Sequence, residues 1–523
     1  MGQCTTGYQL PNPLVYELRN PNFTVYHRAA LGGLAATVEA WKKNPRLKPE
    51  GIEAKVDADK VEIRWDQKLS DRQFIRRLLE ASFRLTPDKL IDLPGHGIET
   101  DRDDLRLAIH VGLCGTFLQH NKMRPGEKTP RSLEIRPDGE EQGYLLTYKA
   151  VNAYAHQKAQ GTGLLDDDDQ APLPPVALIP QSVVPGAVTG ASELEGQPEE
   201  VLLLLYLMVG SAVFLLHSRR HETRAQYCLI IPDVKNLTSF VRNLRKIAAR
   251  GANFLTSGYL GRIAGGAEEA ALRFLLDLEA GSLTEEFGRS VSGCLAVAMG
   301  KVAWDRNQVN RSLVVRVGAE YPELDVFRAA FQHFGKGRLV ISAKGEAFPA
   351  SPSPLPELIA ANLAAERHWC ASFTGLCQEK KDFKQLTSQK GGLAAMTKAI
   401  KDEDDRAIIA IFHEAWRMTM GALSERAQRE GSDFTALVER ERERTRNAIL
   451  RAKTAEALAG WFLRFCADAT KGAALAGMKR NAARVREFIF NPRNFERFQN
   501  LLLFALVSYV GKEETMSEGG IDA

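Results

Sequence analysis

The sequence contains no Cys-x-x-Cys pair. Its seven cysteines are scattered, and the nearest two, Cys370 and Cys377, are separated by six residues. That excludes a zinc ribbon, whose ligands come in close pairs. An odd cysteine count with no secretory leader suits a reducing compartment, so a cytoplasmic location is expected. There is no His-Glu-x-x-His, and no phosphate loop either. Gly335-Lys336-Gly337 lacks the spacing and the following Ser or Thr of such a loop, and reads as a turn. Excess charge is also scarce: 69 Lys and Arg against 65 Asp and Glu leave +4. Bulk charge therefore does not announce a polyanion partner, and only local distribution can. The most apolar run, residues 201–216, follows Glu199-Glu200. As a helix it would measure about 24 Å, short of the roughly 30 Å of a bilayer core. It reads as a buried core helix, and no membrane partner is expected.

What is present is a folded chain of 523 residues, too long for one ordinary core. Residues 1–156 alternate helix and strand signals and read as an α+β N-terminal region. Residues 56–65 suit a turn and strand. Residues 70–84 suit an amphipathic helix with Ser70 as N-cap and Gln73 completing a capping box. A further helix is expected at 105–120. Strands at 132–136 and 143–150 should pair around Pro137-Asp138-Gly139. Residues 157–198 hold four consecutive aspartates, Asp166 to Asp169, among prolines and glycines. They read as a flexible linker or loop and lack calcium-loop spacing.

Residues 199–346 form a second α/β region. Strands are expected at 228–231, 294–299, 312–317 and 338–342, with helices at 237–250 and 267–279. The stretch AFPASPSPLP at 347–356 marks a boundary. From 357 to 510 the one proline is Pro492, and Ala, Leu, Arg and Glu recur at helical period. This is a C-terminal helical bundle with a buried last helix at 495–510, followed by a tail at 511–523. The fold class is α+β: a mixed α/β N-terminal body followed by a C-terminal α-helical bundle.

Catalytic constellations are weak. His217 and His221 stand four apart, but two arginines sit between them and a charged helix end is the simpler reading. His368-Trp369-Cys370 places a thiol near an imidazole only as sequence neighbours, about 100° apart on a helix. No cofactor, metal or catalytic residue is assigned. Charge clusters say more. Lys235, Arg242, Arg245, Lys246 and Arg250 follow one strand–helix junction. Lys479, Arg480, Arg484 and Arg486 form a second set, with Arg493 and Arg497 interleaved among Phe488, Phe490, Phe495 and Phe498. Lys380, Lys381, Lys384 and Lys390 form a third, beside Gly391-Gly392. Cations neutralise phosphates and aromatics stack bases, although such residues also make ordinary surfaces and cores.

One N-terminal stretch stands apart: Val25-Tyr26-His27-Arg28-Ala29-Ala30-Leu31-Gly32-Gly33-Leu34, opening an apolar helix that ends near Trp41. Gly32 and Gly33 each cost about 1 kcal/mol in a helix against Ala. That implies close backbone approach to another element or a helix break. The plain reading is a tight helix–sheet contact with a half-buried histidine. A second stretch, Tyr227-Cys228-Leu229-Ile230-Ile231-Pro232-Asp233-Val234-Lys235-Asn236-Leu237 with Phe240, reads as a strand ending in a Pro-Asp turn before a helix.

In both motifs and their order, the chain resembles the large subunit of type I CRISPR Cascade complexes, in the myxobacterial-type branch that includes the developmental protein T family. The resemblance implies a non-catalytic subunit of an RNA-guided surveillance complex. Such a subunit recognises the motif beside a DNA target, stabilises the R-loop, and recruits a helicase-nuclease or, in transposon-linked systems, transposition proteins. Its implied partners are CRISPR guide RNA, target DNA and the other Cascade subunits. Defence, transposition and developmental roles all stay open. The helix from Lys235 to Arg250 is assigned to the duplex, and Lys479 to Arg486 to the displaced strand. His27, Arg28, Gly32 and Gly33 carry over as family-motif residues. Some branches make the bundle separately from an internal start, for which Met396, Met418 or Met420 would serve. A helical scaffold unrelated to nucleic acid is the alternative, and an enzyme with a pocket at His27 or His368 is a third reading.

Overall fold

A computed structural model describes the chain apart from residues 1–7, 120–123, 138–140, 155–156, 158–163, 171–172, 174–175, 178–187, 190–191, 194, 218–224, 250–254, 281–289, 301–312, 319–320, 342–344, 346, 351–352 and 512–523. The chain folds into two compact units, Met1–Ala319 with Lys336–Glu357, and Glu320–Gly335 with Leu358–Ala523. The fold class is α+β, with sheets in the N-terminal body and helices in the C-terminal part.

The body begins with β1 (Leu14–Glu17), α1 (Val25–Lys43), β2 (Ile52–Val56) and β3 (Lys60–Trp65), whose strands make an antiparallel sheet in the order β1-β3-β2. α2 (Asp71–Ser82) starts where its capping box predicts. Ser70 Oγ accepts from Gln73 N at 3.2 Å, and the Gln73 side chain accepts from Ser70 N at 3.1 Å. β4 (Arg84–Leu85) pairs with β5 (Ile91–Asp92). After α3 (Asp103–Gly115), the expected hairpin forms from β6 (Arg131–Ile135) and β7 (Tyr144–Tyr148); residues 138–140 of its turn lie outside the described residues. Four two-residue strands follow, β8 (Val176–Ala177), β9 (Val188–Thr189), β10 (Ser192–Glu193) and β11 (Glu195–Gly196). Among the four aspartates, Asp169 is bound by Arg76 at 2.8 Å.

The apolar run at 201–216 is not one helix. It splits into α4 (Pro198–Leu205), α5 (Leu207–Gly210) and the strand β12 (Ala212–Leu216). A wholly buried run has no period to separate helix from strand. The main sheet then assembles from β12, β13 (Ala225–Val234), β14 (Ile263–Ala264), β15 (Val291–Gly300) and β16 (Leu313–Gly318), in the order β14-β12-β13-β15-β16. α7 (Ala267–Ala280) packs on it, and α6 (Leu237–Ala248) packs against α1 and α7. Pro232-Asp233 is not a turn: β13 continues through both residues to Val234. Pairing of β12 with β13 stops at Ile230, while β15 still pairs Pro232 with Cys294. Pro232 therefore lies beyond one neighbour, where a missing N–H is tolerated.

α8 (Leu324–Phe334) belongs to the second unit. β17 (Arg338–Ile341) and β18 (Ala347–Ala350) form a hairpin of the first, and α9 (Leu355–Ala364) carries the chain onward. The bundle continues with α10 (Phe373–Gln378), α11 (Lys380–Thr387), α12 (Lys390–Ala399), α13 (Glu403–Glu430), α14 (Phe434–Arg451), α15 (Ala455–Ala469), α16 (Ala476–Phe490) and α17 (Phe495–Ser508). α17 is the buried centre, packed against α10, α12, α13 and α14. Asp402 caps α13 by accepting from Asp404 N and Asp405 N, and Gly431 ends it at φ 62°. Gly391 and Gly392 both lie inside α12, and a Cβ on Gly392 would meet the Phe334 ring.

Candidate nucleic-acid interface

The two sequence motifs meet in space. Arg28 Nε on α1 donates to Asp233 Oδ1 on β13 at 2.6 Å, and Arg28 Nη1 donates to Phe23 O at 2.8 Å. Ser292 on β15 donates to the other oxygen of Asp233 at 2.9 Å. One carboxylate thus joins the N-terminal helix to two strands of the main sheet. His27 is buried rather than half-buried, at 7% exposure, and stacks on Phe23 at 5.1 Å. Its Nδ1 faces Thr24 N at 3.2 Å, and a backbone N–H can only donate. Nδ1 therefore accepts, leaving Nε2–H to donate to Glu200 at 3.0 Å.

The glycines act by absence of bulk. A Cβ on Gly32 would sit 2.8 Å from the Phe240 ring, and one on Gly33 would strike the carbonyl oxygen of Tyr206. Gly210 on the facing helix is as tight against the carbonyl of Ala29. Close backbone approach, not a helix break, is what these glycines permit, since α1 runs unbroken through them. Every family-motif residue is a structural contact in this arrangement. Asp233 and Glu200, which complete the two polar links, had no signal in sequence beyond their place in or near the motifs.

That junction presents α6. Asn236 caps it, accepting from Ser239 N at 2.9 Å, while Lys235 N donates to Ser290 O at 2.9 Å and Leu237 N to Ala58 O at 2.8 Å. Leu237, Phe240, Val241, Leu244, Ile247 and Ala248 are buried. Lys235 and Arg242 are exposed, and Arg245 and Lys246 are partly buried. Arg250 lies outside the described residues. Arg242 and Lys246 are one helical turn apart, a like-charge spacing that costs a few tenths of a kcal/mol in isolation. Arg245 is drawn inward: its stem lies where a Cβ on Gly97 would be, and burial lowers its pKa while Glu39 opposes that. The basic face is therefore Lys235, Arg242 and Lys246, with Arg245 as its inner edge.

The second basic set divides. Lys479, Arg480, Arg484 and Arg486 are all exposed on α16. Arg484, however, is held by Glu403 at 2.5 Å and Asp404 at 3.4 Å. Arg497 is bound by Asp402 and Asp405, at 2.7 Å each. Phe488 and Phe498 are buried against each other at 6.1 Å, whereas Phe490 is 49% exposed. In the third set, Lys380 pairs with Glu443 at 2.9 Å.

His368 Nε2 lies 2.8 Å from Asp405, which also accepts from Trp369 Nε1 at 2.9 Å and from Arg497. Cys370 is buried, and that burial pushes its thiol well above the ordinary range. His217 follows a strand rather than sitting on a helix, and His221 lies outside the described residues. Among the described residues, no three His, Cys, Asp or Glu side chains come together in a way that could hold a metal. No described helix is long and apolar enough to cross a membrane.

A mixed α/β body is followed along the chain by a helical bundle. The sequence matches the DevT N-terminal domain over residues 15–205 and the DevT C-terminal domain over residues 397–523. It is 27% identical over 563 aligned positions to the CRISPR-associated protein Cas8a1/Csx13 of Myxococcus xanthus (strain DK1622), covering 96% of this chain and 90% of that protein. The chain belongs to the DevT family of Cascade large subunits.

Proposed function

We propose that this protein is the non-catalytic large subunit of a type I CRISPR RNA-guided complex, reading the short motif beside a DNA target and stabilising the R-loop. The observation that carries the reading is the ordered match of both DevT domains, one at each end of the chain. The α6 face supports it. Arg242 and Lys246 lie on the capped helix and Lys235 just before its cap, beside the junction that holds the family motif. Phosphate contacts of this kind set affinity and register, and groove contacts from neighbouring residues supply motif choice. The guide RNA and the other Cascade subunits hold the chain in place. A helicase-nuclease or transposition proteins are recruited by the assembled complex.

The test is purification of the tagged chain from its host, with sequencing of any bound RNA. Short repeat-derived RNA with partner subunits is expected; a clean chain without RNA, from cells expressing the neighbouring genes, overturns the reading in favour of a helical scaffold. Reversing Lys235, Arg242 and Lys246 to Glu should weaken target DNA binding and lower its salt slope by about one per lost phosphate contact. Arg484→Ala should change stability more than DNA binding, because its charge is already engaged by Glu403 and Asp404.

A further inference from the structure

The bundle contains a cleft of about 400 Å³ between α13, α14 and α15 that no motif or charge run singled out. That volume is of small-ligand size. One wall is Trp461 with Phe465, four residues on along α15, their rings parallel within 11° at 5.4 Å. Behind it Phe465 belongs to a three-ring cluster, stacked on Phe412 at 5.1 Å and tilted against the fully buried Trp416 at 6.3 Å. Trp461 is the partly exposed end of this aromatic cluster and lines the cleft. Around it stand Arg444, Arg464 and Lys471, all exposed. Arg444 lies 3.7 Å from Glu441, a loose pair. Lys471 holds φ at 52°, a left-handed conformation that a long side chain adopts at a cost of about 1 kcal/mol.

We infer that this cleft receives one unpaired base of a single-stranded polynucleotide, stacked on Trp461, with flanking phosphates on Arg464, Lys471 and Arg444. A base ring extends the stacked Trp461–Phe465 pair, which already ends in the cleft. The cations supply the countercharge that a purely apolar ligand would not need. Asp468, also in the cleft, suits the exocyclic amine of cytosine or adenine and not a phosphate. This rests on the reading of the bundle as a strand-holding element, but it moves the contact from the α16 face to α15.

The test uses the full chain and two single-stranded DNA probes of equal length, oligo-dC and an abasic backbone. Wild type should bind oligo-dC more tightly by roughly 5- to 150-fold, the range expected for one stacked base. Trp461→Ala should abolish that difference while leaving the salt slope unchanged, and Trp461→Phe should keep most of it. Circular dichroism on each variant confirms the helical content. Trp461→Ala with an undiminished preference for bases overturns the inference and leaves strand holding intact. Absence of salt-sensitive binding by wild type overturns the strand-holding reading itself, and this site with it.

Discussion

Arg28 and Asp233 are 205 residues apart in sequence and 2.6 Å apart in space. Both are largely covered, with side-chain exposures of 26% and 17%. A double-mutant cycle with Arg28→Ala and Asp233→Ala should show a coupling of about 1–2 kcal/mol in denaturant unfolding. Gly33→Ala should cost at least about 3 kcal/mol, because the new methyl would meet backbone rather than a yielding side chain. Gly375→Ala on α10, with nothing within 4 Å of its Cβ position, should be neutral or stabilising and serves as the control. In the bundle, His413 Nε2 lies 3.0 Å from Ala505 O, and burial lowers its pKa to about 4. A depressed histidine contributes stability that is present above its unfolded value of about 6.5 and lost as pH falls through its folded value. The wild type should therefore lose up to about 3 kcal/mol relative to His413→Gln between pH 6.5 and pH 4, measured by urea unfolding.

Elements with an edge in their chemistry were legible from the sequence. The Ser70–Gln73 box locates the start of α2, the Pro137-Asp138-Gly139 signal finds the β6–β7 pair, and the cations of α6 fall opposite its apolar stripe. Elements buried on all sides were not legible: α4, α5 and β12 share one apolar run, and only their partners decide which part is strand. The Pro-Asp pair misled for a related reason, since whether a proline breaks a strand depends on where the neighbouring strand ends. The candidate site was legible in outline, through the motif glycines and basic helix. Its polar closure by Asp233 and Glu200 was not, because contacts across such separations leave no local pattern. The aromatic cluster was hidden similarly: Trp461 and Phe465 look like a core stripe until Phe412 and Trp416 close around Phe465.

At the scale of the molecule, the bundle limits where a shorter product could begin. Met418 and Met420 lie within α13, so chains begun there lack Phe412 and Trp416, both fully buried. Expressed as fragments, 418–523 and 420–523 should be insoluble or lack cooperative unfolding. A start at Met396 keeps α13 to α17 whole, and 396–523 should retain helical circular dichroism. It should still unfold earlier than the full bundle, since Phe504 loses the edge contacts of Trp369 and Phe373, at 4.9 and 5.7 Å. The body faces a constraint of timing. α1 is buried along almost its whole length, yet α4, α5 and β13, which cover it, are translated much later. At roughly 5–20 residues per second, the 205 residues between Arg28 and Asp233 take about 10–40 s to emerge. For that interval the apolar helix has only β2, β3 and the Pro94–His96 turn to close on, and the faces that α4, α5 and β13 later cover stay open, which makes the nascent N-terminus a segment of this protein in need of a chaperone.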